Sequence, residues 1–140
     1  MDRRTAPRGA VGDLTGRPEW NPAWECAPDV VGDFRAMPFE DASFRLVVFD
    51  PPHLIQEPND SITHLKYGSL SPDTYEDDLR RGFAECWRVL APGGTLIFKW
   101  AGDINRVKPH FPATPIVGTR VPRGLQTWWL TFYKPMEATP

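Results

Sequence analysis

Residues 44 to 53 read Phe-Arg-Leu-Val-Val-Phe-Asp-Pro-Pro-His, an apolar run that delivers one carboxylate straight into two prolines. A carboxylate at the carboxyl end of a buried strand sits on the rim where open α/β sheets bind their ligands. The two prolines end the strand and hold the neighbouring backbone carbonyls rigid. Asp50 can therefore accept one N–H of an amino group while a carbonyl of the Asp50-Pro51-Pro52 turn accepts the other. Gripping both hydrogens lets the nitrogen lone pair leave its conjugation and point at an electrophile, and the flat ring of His53 can stack on the base that carries the amine. An ordinary strand-to-loop exit with proline as the breaker accounts for the same residues, because Asp-Pro is a common turn opener.

The flanking sequence supplies the elements that position such a turn. Asp29 to Phe34 reads as a short apolar strand ending in an acid, and Met37-Pro38-Phe39 through Phe44 leads from it into the first run. Ser71 to Leu90 has helical period, with Tyr75, Leu79, Phe83, Cys86, Trp87 and Leu90 on one face and Asp77, Asp78, Arg80 and Arg81 on the other. Ser71-Pro72 is a start signal, and Pro92-Gly93-Gly94 stops the helix and turns the chain into a buried strand from Thr95 to Trp100. Two further strands follow, 114 to 121 and 127 to 134, around the turn Pro122-Arg123-Gly124. So short a connection makes them antiparallel. Trp128 and Trp129 read as packing residues alternating across the two faces of the sheet.

These residues, in this order, resemble class I S-adenosylmethionine-dependent methyltransferases. Asp50-Pro51-Pro52-His53 is similar to the Asp-Pro-Pro-aromatic motif of the amino-methyltransferases that modify adenine N6 or cytosine N4. Arg88-Val89-Leu90-Ala91-Pro92-Gly93-Gly94 resembles the family's helix-to-strand signature. Lys66-Tyr67-Gly68-Ser69 and Phe98-Lys99-Trp100 resemble elements of short phage or bacterial methyltransferase-like proteins, and that resemblance covers residues 28 to 135. It implies a Rossmann-like α/β sheet, mostly parallel with a C-terminal antiparallel hairpin. It also implies methyl transfer to an exocyclic amino nitrogen of a nucleic-acid base, with S-adenosylmethionine as cofactor. Asp50, Pro51, Pro52 and His53 would be the catalytic set. Asp33, with Phe34 beside it, would hold the cofactor's adenine, and Asp2 its ribose hydroxyls. Lys66 and Tyr67 would lie over the substrate. The family's glycine-rich loop has no counterpart, since Gly9, Gly12 and Gly16 stand in a Pro- and Arg-rich stretch with no apolar strand ahead of them. The expectation is a methyltransferase fold that begins one βα unit late, through a truncated start, degeneration to a non-catalytic binding subunit, or a partner or second copy that completes the cofactor site. A small-molecule methyltransferase is the alternative enzyme.

Composition bounds these readings. With 140 residues, 41% hydrophobic and 12% aromatic, the chain can bury one core. The expected division is an irregular segment 1–27, an α/β domain 28–135 and a tail 136–140. No apolar run has the length of a membrane span and the N-terminus lacks a signal-peptide core, so a cytoplasmic protein without a membrane partner is expected. Cys26 and Cys86 have no metal-ligand spacing and read as reduced thiols, with no metal. Residues 26 to 90 hold 12 acids and 6 bases, whereas 91 to 140 hold 2 acids and 6 bases. Lys99, Arg106, Lys108, Arg120 and Arg123, interleaved with Trp100, Trp128 and Trp129, are placed to touch a phosphate backbone, or form a solvated surface. A pI near 5.9 argues against tight nonspecific DNA binding.

Overall fold

The computed structural model describes residues 28–53, 55, 68–121 and 126–136. Among these residues the strands are β1 (Phe44–Phe49), β2 (Leu90–Ala101), β3 (Val117–Val121) and β4 (Thr127–Tyr133), and a helix, α1 (Tyr75–Val89), lies between β1 and β2. Two single turns of 3-10 helix, Ile104–Arg106 and Lys108–His110, follow β2. The sheet order is β1-β2-β4-β3. β1 and β2 pair in parallel and β4 is antiparallel to both its neighbours, so β4 alone runs against the other three. Against the expectation of a mostly parallel sheet with an antiparallel terminal hairpin, the described strands form a mixed sheet with one parallel and two antiparallel pairings, β3 and β4 being the antiparallel terminal pair.

One face of this sheet is the core. Leu96, Phe98 and Trp100 of β2 alternate inward with Leu130 and Phe132 of β4 and Phe49 of β1, against Leu79, Phe83 and Cys86 of α1. Phe83 and Phe98 have ring centroids 4.7 Å apart, and Phe111, beyond the second 3-10 turn, closes on both. Burial pushes the Cys86 thiol up to about 12, so it stays a neutral, inert core group. The opposite face carries the other parity: Leu46 and Val48 of β1, Ile97 and Lys99 of β2, Trp129 and Tyr133 of β4, Val117 and Val121 of β3. Val48 and Val117 are 58% and 62% exposed, so no described element covers this face.

Several local expectations change. Asp29 to Phe34 forms no strand; the chain makes a tight reverse turn, with the Ala36 N–H donating to the Asp33 carbonyl at 3.0 Å. A strand there needs a neighbour to take its backbone groups, and Asp33 instead satisfies the turn from within, its carboxylate accepting the Arg35 N–H. α1 begins at Tyr75, four residues later than expected, because Ser71 to Thr74 form a turn in which the Ser71 carbonyl accepts the Tyr75 N–H. Asp78, expected on the solvent face, is buried by an ion pair described below. Pro92-Gly93-Gly94 does not separate helix from strand. α1 ends at Val89, Leu90 is already extended, and the Pro-Gly-Gly turn lies inside β2. Between Phe44↔Leu90 and Leu46↔Thr95, two steps along β1 meet five along β2, so three extra residues bulge from the ladder. Gly93 takes φ +78 there, and its N–H donates to the Lys134 carbonyl. The terminal strands are shorter than expected, and the turn between them lies outside the described residues.

Candidate functional site

β1 ends at Phe49, whose ring is anchored between Phe34, Phe83 and Phe98. Asp50 follows on the sheet rim, and alternation sends its side chain to the open face with Leu46 and Val48. There Lys99 Nζ donates to Asp50 Oδ2 at 2.8 Å, the two side chains 30% and 43% exposed. The register produces this meeting, because Phe49 pairs with Phe98 and the next residue on each strand is Asp50 and Lys99. Lys99 also pairs with Trp129, and its ammonium lies 5.7 Å from the indole centroid. Pro51 is buried, and Pro52 and His53 are half-buried. The His53 imidazole titrates below 6.5, chiefly because burial disfavours its charge; the Asp50 carboxylate opposes that shift and the Lys99 ammonium adds to it. His53 is therefore an uncharged flat ring at neutral pH, within electrostatic range of both ions.

The Asp33 turn lies beside this rim, because Phe34 packs on Phe49 at 5.6 Å. Gly82 of α1 makes that approach possible: a Cβ on it would stand 2.7 Å from both the Phe34 and Phe49 rings. Asp33 is not a free acceptor. Its carboxylate accepts from the Arg35 backbone N–H, Nε and Nη2, so both oxygens are engaged by Arg35 while the side chain stays 44% exposed. Those bonds hold Asp33 down to about 2. Arg35 Nη1 reaches on to Asp78 Oδ1 at 2.8 Å, and Thr74 Oγ1 donates to Asp78 Oδ2, so the turn is tied to the start of α1. At the other end of α1, Arg88 donates to the Phe39 and Met37 carbonyls and to Asp41 and Glu85, which fastens the segment leading into β1.

Of the residues expected to act, Asp50, His53 and Lys99 come together, with Asp33 and Phe34 nearby across Phe49. Trp100 is a correction. It is 3% exposed, stacked on Phe98 in the core, so it offers no surface ring to a phosphate backbone. Among the described residues its Nε1 has no hydrogen-bond partner. Asp2, Lys66 and Tyr67 lie outside the described residues. Sequence reasoning missed Arg35 and Asp78, whose pairing spans 43 positions; Trp129, read both as packing and as an aromatic among the basic residues, is 40% exposed. Gly82 did carry a signal, since glycine inside a helix is costly and asks for a packing reason. Among the described residues no three His, Cys, Asp or Glu side chains converge as a metal site, and no helix is long and apolar enough to cross a membrane.

The Asp33 carboxylate is paired with Arg35, and Asp2 lies outside the described residues. No protein-family model and no curated protein matches the chain. Solved structures do. TTHA0409 from Thermus thermophilus, a provisionally assigned DNA modification methylase, matches as its selenomethionine derivative with a TM-score of 0.54 at 21% identity, over 79% of this chain and 55% of that one. The same protein complexed with S-adenosyl-L-methionine matches with a TM-score of 0.53 at 20% identity, over 79% and 56%. The PH0226 protein from Pyrococcus horikoshii matches with a TM-score of 0.51 at 18% identity, over 76% and 58%. The chain thus shares a methyltransferase-like α/β fold and spans 55 to 58% of the length of these proteins.

Proposed function

We propose that the chain forms the amine-accepting part of an S-adenosylmethionine-dependent methyltransferase acting on an exocyclic amino nitrogen of a nucleic-acid base, adenine N6 or cytosine N4. The carrying observation is the Asp50 carboxylate on the rim of β1, fixed by Pro51-Pro52 and already accepting a hydrogen bond from a primary amine nitrogen, Lys99 Nζ. A sulfonium-bound methyl is activated by its own chemistry, so the protein's task is to orient the acceptor nitrogen. In this reading Asp50 and the carbonyls of its turn take the amine hydrogens, and the uncharged His53 ring lies against the base. The fold shared with a methylase complexed with S-adenosyl-L-methionine supports the choice of donor. A base within a duplex must leave the stack to reach this rim.

A second reading, a methyltransferase-like subunit completed by further polypeptide, is supported by the Asp33 carboxylate being paired with Arg35 and by the larger chains of the structural neighbours. One assay separates these readings from a small-molecule enzyme. Incubation with methyl-labelled donor and separate pools of DNA, RNA and low-mass metabolites is expected to label a nucleic acid at an amino nitrogen. Label confined to metabolites would transfer the assignment to small molecules. No label from the chain, with label appearing when the remainder of a methyltransferase domain is supplied, would establish the subunit reading.

A further inference from the structure

A carboxylate, an ammonium and an exposed ring lie in one row across the open face of the sheet: Asp50 Oδ2, Lys99 Nζ 2.8 Å from it, and the Trp129 indole, its centroid 5.7 Å from the same Nζ. The row is built into the fold, because the ladder sets Lys99 opposite Trp129 and the β1 register brings Asp50 alongside. Adenine and cytosine share one chemical feature at the target amine: the amino donor stands next to a ring nitrogen whose lone pair is free. The Asp50–Lys99 pair presents the complement, an acceptor beside a donor. We propose that Lys99 reads the ring nitrogen next to the target amine while Asp50 takes the amine hydrogen, with the base lying on the Trp129 indole; this deepens the function proposed above and rests on it.

The Lys99 ammonium stands on Asp50 Oδ2, where this inference puts the substrate amine. A base entering along Trp129 displaces it by one hydrogen bond's length, and its flexible stem lets it follow the ring nitrogen. At the matching edge thymine, uracil and guanine present a carbonyl beside an N–H. That order sets the carbonyl against Asp50 and the N–H against Lys99, so both contacts are mismatched and the base is rejected. Trp129 adds area that any base can use, which makes it an affinity group, and leaves discrimination to the ion pair.

The test uses the full chain and four probes: the deoxynucleoside monophosphates of adenine, cytosine, thymine and 1-deazaadenine, the last lacking only the ring nitrogen. Each base is also presented within an oligothymidylate strand, which separates recognition of a free nucleotide from that of a nucleic-acid strand. Dissociation constants are read by two-dimensional NMR, with the indole N–H of Trp129 assigned by its loss in Trp129→Phe. Adenine is expected to bind about tenfold tighter than 1-deazaadenine. Lys99→Met should bring that ratio to one, and Lys99→Arg should restore it. Trp129→Ala should weaken every base alike and Trp129→Phe should recover most of the loss, with all variants melting cooperatively. An unchanged ratio in Lys99→Met overturns the role of Lys99, an unmoved Trp129 signal overturns the platform, and no binding of any probe overturns both. If methyl transfer still requires Asp50 while the ratio ignores Lys99, this inference falls and the function stands; if transfer survives Asp50→Ala, the function falls.

Discussion

Asp50 separates chemistry from stability. Its carboxylate and the Lys99 ammonium are both substantially exposed, and such a pair contributes at most about 1 kcal/mol. Asp50→Ala should therefore leave the melting transition nearly unchanged while methyl transfer falls by about 100-fold or more, the scale on which positioned polar groups act. Asp50→Asn keeps an accepting oxygen and should retain partial activity. A rate loss matched by a loss of folded protein would count against the orienting role. Asp33 makes the opposite contribution. Arg35 lowers its titration from 3.8 to about 2, so its stabilising effect is fully present above pH 3.8 and is lost as pH falls toward 2. Asp33→Asn should flatten the stability profile over that window. With the side chain 44% exposed the difference should be about 1 kcal/mol or less, measured by denaturant midpoints at successive pH values.

At the scale of elements, α1 shows how packing overrides propensity. Glycine inside a helix normally costs about 1 kcal/mol relative to alanine. Gly82→Ala should nevertheless destabilise the protein by about 1–3 kcal/mol, because the added Cβ drives into Phe34 and Phe49. Urea unfolding checks the sign, and a stabilised variant would show that the Asp33 turn does not dock on α1. The C-terminal end of the same helix depends on Lys134, whose Nζ donates to the Trp87 and Leu90 carbonyls at 2.7 Å each. That contact joins the segment just after β4 to the helix C-terminus, where a cation is favourable.

At the scale of the molecule, the described residues cover one face of the four-stranded sheet and leave the other open. Parallel pairs such as β1 and β2 are ordinarily buried on both faces, and an exposed apolar surface of this kind favours association. The chain as given should self-associate with concentration and bind an apolar dye. Val48→Lys, at a 58% exposed position, should reduce both without lowering helix content, measured by light scattering and circular dichroism. The pairing of Asp33 with Arg35, which a cofactor hydroxyl or amine would have to displace, predicts weak or undetectable S-adenosylmethionine binding by the chain alone in titration calorimetry. Tight binding would show that other residues, including those outside the described set, form the cradle.

Local pattern was enough to locate β1, α1, β2 and β4 and to single out Asp50 and His53, because alternation, helical period and a carboxylate running into two prolines are properties of contiguous residues. The same local pattern misjudged Pro-Gly-Gly, since whether such a turn separates two elements or bulges within one depends on the β1 and β4 ladders on either side. It made a strand of Asp29 to Phe34, for which the described sheet supplies no neighbour. Lys99 was legible as a cation but not as the partner of Asp50, 49 positions away, and Trp129 was legible as an aromatic of one sheet face but not as the residue opposite Lys99. Asp78 looked like a solvent-facing acid until Arg35, carried in by the turn, buried it. Ion pairs between distant residues and the covering of one sheet face rather than the other are set by register and topology, which no stretch of sequence contains by itself, so tertiary structure alone decided them.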